Sequence, residues 1–128
     1  MNDDLLAEAA LVAEAAYAPY SRFRVGAVAV ADDGSRHRGA NVENAAFGST
    51  LCAEAVAMGT AVSAGYRNIE TIAVVGLDAP GECYPCGNCR QLMRELGVKT
   101  VIVRDATGSA RSHSLEELMP HSFGPDSL

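Results

Sequence analysis

Between Asp3 and Tyr17 the apolar side chains Leu5, Leu6, Ala9, Val12, Ala13 and Ala16 fall three and four apart. That spacing draws one stripe along a helix, which Asp3 or Asp4 can cap and which ends by Pro19. Phe23 to Ala31 is apolar and β-branched with Gly26 inside it, predicting a strand; Asp33-Gly34 predicts a turn and Ser35 to Gly39 a second short strand. Leu51 to Ala64, rich in Ala, Leu, Val, Met and Glu, predicts a helix with Ser49 or Thr50 as cap and Gly65 as stop signal. A near-continuous apolar strand follows at Thr71 to Gly76, then a helix from Cys86 to Leu96 ended by Gly97. Thr100 to Val103 reads as a further buried strand, and the capping-box spacing of Ser114 and Glu117 predicts a short closing helix to Leu118. Strands alternating with helices predict an α/β layered sheet, whose strand order this pattern does not contain. The tail from His121 to Leu128 reads by itself as a frayed terminus.

A chain of 128 residues, 48% hydrophobic, is long enough for one core and too short for two, so residues 1–128 are expected to form a single domain. Ten basic against 16 acidic residues give a formal charge of −6, the wrong sign for neutralising phosphates, which argues against nucleic acid as partner. No run approaches the roughly 20 apolar residues of a membrane span, and no basic stretch leads an apolar one. A soluble cytoplasmic protein without a membrane partner is expected. Four cysteines, three of them bunched at Cys83, Cys86 and Cys89, fit metal binding better than a disulfide framework. Trp is absent and aromatics make up only 5%, so the few present are candidates for packing over something flat.

Chemistry concentrates at the starts of two predicted helices. Cys86-Gly87-Asn88-Cys89 follows Pro85, and Cys52 stands upstream with an acid two places on. Three thiolates suit one zinc ion, which in catalytic sites takes three protein ligands and one water. Helix N-termini aimed at these sulfurs would lower their pKa and spread their charge. Glu54 beside such a water can take its proton and return protons to a ring nitrogen and a leaving ammonia. Alone, a C-x-x-C pair is as consistent with redox or structural roles, and a first-turn Glu with a dipole partner. Joined, they form the arrangement of zinc nucleobase deaminases, with cysteine ligands and a non-ligand Glu. Cys83 could supply a fourth sulfur and close the metal to water; that would raise the charge and leave Glu54 idle, so a partly buried free thiol is the expected state.

At these residues the chain resembles the small homotetrameric cytidine deaminase family over nearly its whole length. The resemblance is carried by Ala18-Pro19-Tyr20-Ser21-Arg22-Phe23, Val25-Gly26-Ala27, Asn41-Val42-Glu43-Asn44-Ala45-Ala46-Phe47-Gly48, Cys52-Ala53-Glu54, Pro85-Cys86-Gly87-Asn88-Cys89-Arg90-Gln91 and Leu118-Met119-Pro120-His121-Ser122-Phe123-Gly124. It implies a three-layer α/β/α sandwich around a mixed β-sheet, one Zn2+ per subunit on Cys52, Cys86 and Cys89, and catalytic Glu54. It further implies that free cytidine and 2'-deoxycytidine are deaminated to uridine and 2'-deoxyuridine in pyrimidine salvage, by a zinc-bound hydroxide attacking C4. Asn41 and Glu43 would then bind the ribose hydroxyl, Phe23 stack on the pyrimidine, and the backbone around Ala53 read the base. Phe123 would cover the site, and Ala45 lie in the stretch offered to a neighbouring subunit of a homotetramer with shared sites. Without the resemblance, Asn41 and Glu43 read as loop polars and both Phe as core.

Two departures lie close to the chemistry. Many family members carry Arg after C-A-E, where its guanidinium can hydrogen-bond the thiolates; here the position is Ala55, which shifts screening to the helix ends and Arg90. Phe47 stands where the family commonly has Tyr, one hydroxyl fewer near the sugar or a subunit contact. The Arg-less motif with Gly59-Thr60-Ala61 also resembles blasticidin S deaminases, the nearest alternative, while intact Asn41-Val42-Glu43-Asn44 favours ordinary cytidines. From another class, a non-catalytic zinc-binding interaction module predicts four-sulfur ligation and no use of Glu54.

Overall fold

A computed structural model describes all residues, Met1–Leu128. In chain order it contains α1 (Asn2–Ala13), β1 (Val25–Ala31), β2 (Arg36–Ala40), α2 (Ala53–Ser63), β3 (Ile69–Gly76), α3 (Gly87–Glu95), β4 (Thr100–Arg104), β5 (Ala110–Ser114) and α4 (Leu115–Leu118). Two short 3-10 turns, Phe47–Ser49 and Pro125–Ser127, complete it. The five strands form one mixed sheet ordered β2-β1-β3-β4-β5, with β3 and β4 parallel and every other pair antiparallel.

Period-two alternation splits the strand residues between two apolar layers. Val28, Ala73, Val75 and Ile102 face α1, where Leu5, Leu6 and Ala9 meet them. Ala27, Ala29, Ile72, Val74, Val101 and Val103 face the other way, toward Ala57, Met58 and Ala61 of α2 and Cys89 and Met93 of α3. The result is the expected α/β/α sandwich. Two glycines let helices lie close on the sheet. A Cβ at Gly26 would overlap Ala9 O and stand 2.7 Å from Ala13 N, and one at Gly39 would overlap Ala57 N of α2.

The helix starts differ from the caps the sequence offers. Met1, not Asp3 or Asp4, precedes α1, and both acids sit in its first turn, where they meet the positive end of the dipole. Thr50 does not cap α2; its hydroxyl accepts from Asn44 N–H at 3.2 Å, and Cys52 takes the N-cap position. Gly65 and Gly97 both turn left-handed after α2 and α3, at φ +104° and +77°, as stop signals should. Ser114 and Glu117 form the capping box at α4. The sequence pattern misses β5, because Ala110-Arg111-Ser112-His113-Ser114 is a polar edge strand. No helix is long and apolar enough to cross a membrane.

Candidate active site

Two helix starts converge. Cys52 is the N-cap of α2 and Cys86 the N-cap of α3, both in extended backbone, and Cys89 lies one turn into α3. The three sulfurs lie within 4.8 Å of one another, and Cys52 Sγ stands 3.7 Å from Cys86 Sγ. A tetrahedral ion with bonds of about 2.3 Å separates its sulfurs by about 3.8 Å, so this spacing is that of a ligand set. Cys83 is outside the set. Its sulfur packs near Gly76 beside a cavity of about 400 Å3 at the carboxyl ends of β3 and β4, which leaves three sulfur donors at the cluster.

Electrostatics point to the same need for a cation. Burial, followed by the neighbouring Cys86 and then the Glu54 charge, pushes the Cys52 thiol up to about 11. Burial and the charges of Glu54, Cys52 and Cys86 push Cys89 up further. Cys86 alone falls below its ordinary value: burial works to raise it, but hydrogen bonding from Cys89 and Cys52 outweighs that effect. The Cys89 N–H in the first turn of α3 lowers Cys86, as a helix start should, while burial and neighbouring negative charge raise Cys52 and Cys89. One zinc ion fits the cluster, since a divalent cation offsets the mutual repulsion that opposes full deprotonation.

Glu54, on the first turn of α2, is only 5% exposed, and burial raises its pKa. Ala55 is half-buried and packs against the core beside Cys52, leaving no cation after Cys52-Ala53-Glu54. Arg90 does not replace it by direct bonding: Nε donates to Pro85 O at 2.8 Å and Nη1 to Leu118 O at 2.5 Å. Its hydrogen bonds brace the turn that enters α3. Tyr84 adds a second brace the sequence does not announce. Its hydroxyl meets His113 Nε2 at 3.3 Å, and His113 Nδ1 lies 3.4 Å from Glu117 Oε2.

Phe23, Asn41 and Glu43 gather around residues 41–43, which run beside both Tyr17 and Leu51, whereas Phe123 lies on the tail against α3. Val42 and Leu51 exchange backbone hydrogen bonds of 2.9 Å, setting this segment next to the entry of α2. Asn41 is buried; its Oδ1 accepts from Val25 N at 2.8 Å and its Nδ2 donates to Phe23 O at 2.8 Å. Glu43 accepts from Tyr20 N at 2.9 Å, Ser21 N at 3.1 Å and the Ser21 hydroxyl. The Ser21 hydroxyl, then the Ser21 N–H, hold its carboxyl below the usual range. These bonds bring Phe23, Asn41 and Glu43 together. Beside them a cavity of about 450 Å3 is lined by Tyr20, Ser21, Glu43, Asn44, Phe47 and Thr50. Ala53 is fully buried, Ala45 is exposed, and Phe23 and Phe123 are 37% and 60% exposed. The tail is not frayed: Gln91 Nε2 donates to Phe123 O at 2.9 Å and Arg94 pairs with Asp126.

Residues 1–105 match the model of a family described as cytidine and deoxycytidylate deaminase zinc-binding region. A cytidine deaminase of Halalkalibacterium halodurans is 43% identical over 126 residues, 97% of this chain and 95% of the relative. One from Sporosarcina psychrophila is 39% identical over 128 residues, 98% and 93% of the two chains. The crystal structure of cytidine deaminase from Burkholderia pseudomallei superposes with a TM-score of 0.89 at 43% identity, covering 96% of this chain and 99% of that one. Sequence, fold and the three-sulfur cluster agree, and the chain belongs to the cytidine and deoxycytidylate deaminase family.

Proposed function

We propose that this zinc-dependent hydrolase deaminates free cytidine and 2'-deoxycytidine to uridine and 2'-deoxyuridine, releasing ammonia for pyrimidine salvage. The observation that carries the reading is a buried carboxylate, Glu54, in the helical turn that follows one sulfur of a three-sulfur cluster. Zinc bound there supplies a water acidified enough to be deprotonated near neutral pH. Glu54 would pass one proton of that water to the pyrimidine N3 and then the remaining proton, from the new C4 hydroxyl, to the departing amine, so that a C4–O bond forms as the C4–N bond breaks and ammonia leaves. Phe23 stacks on the pyrimidine, and the backbone at Ala53 reads its edge. One Nδ2 hydrogen of Asn41 and one acceptor position of Glu43 remain for a ribose hydroxyl, after the bonds already made to the protein.

Phe123 covers the site, and Ala45 lies on the stretch a neighbouring copy offers. The exposed Tyr20, Phe47, Leu51 and Phe123 supply apolar area for the subunit contacts of a homotetramer with shared sites. Four unbridged cysteines suit the reducing cytoplasm. The bulkier antibiotic substrate is not favoured by kinship with cytidine deaminases, and the non-catalytic zinc module is not favoured by a cluster of three sulfurs rather than four. Ammonia release from a panel of nucleosides, with zinc measured on the same sample, tests the proposal. Turnover of cytidine and deoxycytidine is expected, and turnover of blasticidin S alone would refute it.

A further inference from the structure

Helix α3 carries two loads. Its first turn presents Cys86 and Cys89, and its flank grips the tail at three points. Arg90 donates to Leu118 O, Gln91 Nε2 to Phe123 O at 2.9 Å, and Arg94 Nε to Ser122 Oγ at 2.9 Å. Arg94 Nη2 also donates to Asp126 Oδ1 at 2.5 Å. Between these points Gly124 is buried, and a Cβ there would lie 2.5 Å from Arg94 Cζ, so the backbone passes directly over the guanidinium. His121 enters this stretch with φ +53°, a left-handed turn that costs a non-glycine residue energy and persists only where its surroundings enforce it.

The gripped segment keeps its one aromatic ring out of the core. Polar side chains from α3 bond the Ser122 hydroxyl before Phe123, the Phe123 carbonyl and the Asp126 carboxylate after it, yet Phe123 is 60% exposed. Burial of Phe123 within its own chain therefore does not explain the clamp. The clamp instead sets where the tail presents an exposed aromatic side chain. Gln91 and Arg94, three residues apart, share the helical face that does so.

We propose that Arg94, seconded by Gln91, is a positioning residue that fixes how the tail presents the Phe123 side chain to a bound nucleoside in the shared site of the assembly. The inference rests on the assignment of Phe123 to the substrate. Arg94 touches no reacting atom and acts only through the tail, so its effect should vanish once the ring is gone. A ring stacked over the base meets ground state and transition state alike, so its misplacement belongs in KM rather than kcat.

The test is a double-mutant cycle on the purified assembly, comparing wild type, Phe123→Ala, Arg94→Ala and the double variant in kcat, KM for cytidine and zinc per chain. Arg94→Ala is expected to keep its zinc and raise KM roughly tenfold, the size of one lost charge-assisted hydrogen bond. The double variant is expected to be no worse than Phe123→Ala alone. Losses that multiply, a loss confined to kcat, or an unchanged KM in Arg94→Ala while Phe123→Ala raises it would each overturn the proposal. If Phe123→Ala leaves KM unchanged, the assignment of Phe123 itself fails and the positioning role falls with it. Should Arg94→Ala not fold, Arg94→Lys and Gly124→Ala probe the same clamp. Lys keeps the charge toward Asp126 and should recover part of the affinity, whereas the new Cβ at Gly124 should raise KM; a normal KM in both would overturn the inference.

Discussion

Glu54 is buried without a cation bonded to it, an arrangement that costs stability and makes sense where protons move. Glu54→Gln is expected to keep zinc and fold while losing turnover by several orders of magnitude, read by ammonia release and metal content; near-normal turnover would remove Glu54 from the chemistry. Asn41 serves two purposes, and its substitution separates them. Its side chain pairs with Val25 N and Phe23 O, so Asn41→Ala should destabilise the fold by about 2 kcal/mol in urea denaturation, because buried backbone groups lose their partners. It should also raise KM for cytidine, and an unchanged urea midpoint would contradict the structural half. The loop-polar reading of Asn41 thus captures real bonds that the family resemblance does not mention. The three sulfur ligands and Glu54 are legible from spacing, since Cys52-Ala53-Glu54 and Cys86-Gly87-Asn88-Cys89 are local motifs. Arg94, Tyr84 and His113 are not legible, because their partners lie about 30 positions away in the chain.

Local periodicity exposes α1, α2, β1, β3 and β4, whose apolar faces write the fold into the sequence. It fails at β5, whose polar residues pair with β4 at an open edge, and at the caps, where Cys52 and Cys86 displace the residues that usually compete for that position. Two turns carry a pH response. A hydrogen bond from the Tyr66 hydroxyl, then bonds from Ser35, hold Asp33 at about 2 after β1. Thr107, then the Ser109 N–H, hold Asp105 at about 2 between β4 and β5, with Arg111 adding to the effect. Both carboxyls fall from an ordinary 3.8, so their stabilisation is full above that value and is lost as pH drops through about 2. Asp33→Asn combined with Asp105→Asn should flatten the decline of the urea midpoint between those limits. An acid limb as steep as in the wild type would show that these turns do not govern it.

The sheet is a wall between two apolar layers, and the sulfur cluster lies on one side of it only, where α2 and α3 meet. Strand order could not be read from the chain because it depends on pairings such as Thr71 with Thr100, far apart in sequence. The shared cluster has a consequence beyond catalysis. Helices α2 and α3 both begin at residues whose sulfurs resist ionising together, so the ion that neutralises them also fastens one helix to the other. An ion bound by the folded chain and released by the unfolded one adds about 1.4 kcal/mol of stability for each tenfold rise in its free concentration above Kd. The unfolding midpoint should climb with buffered free zinc and fall on chelation even with no substrate present. A midpoint indifferent to zinc would mean the helices hold together without it. The protein's persistence in a cell would thus track metal supply: starvation for zinc would thin out the enzyme by unfolding and proteolysis, and not merely idle it.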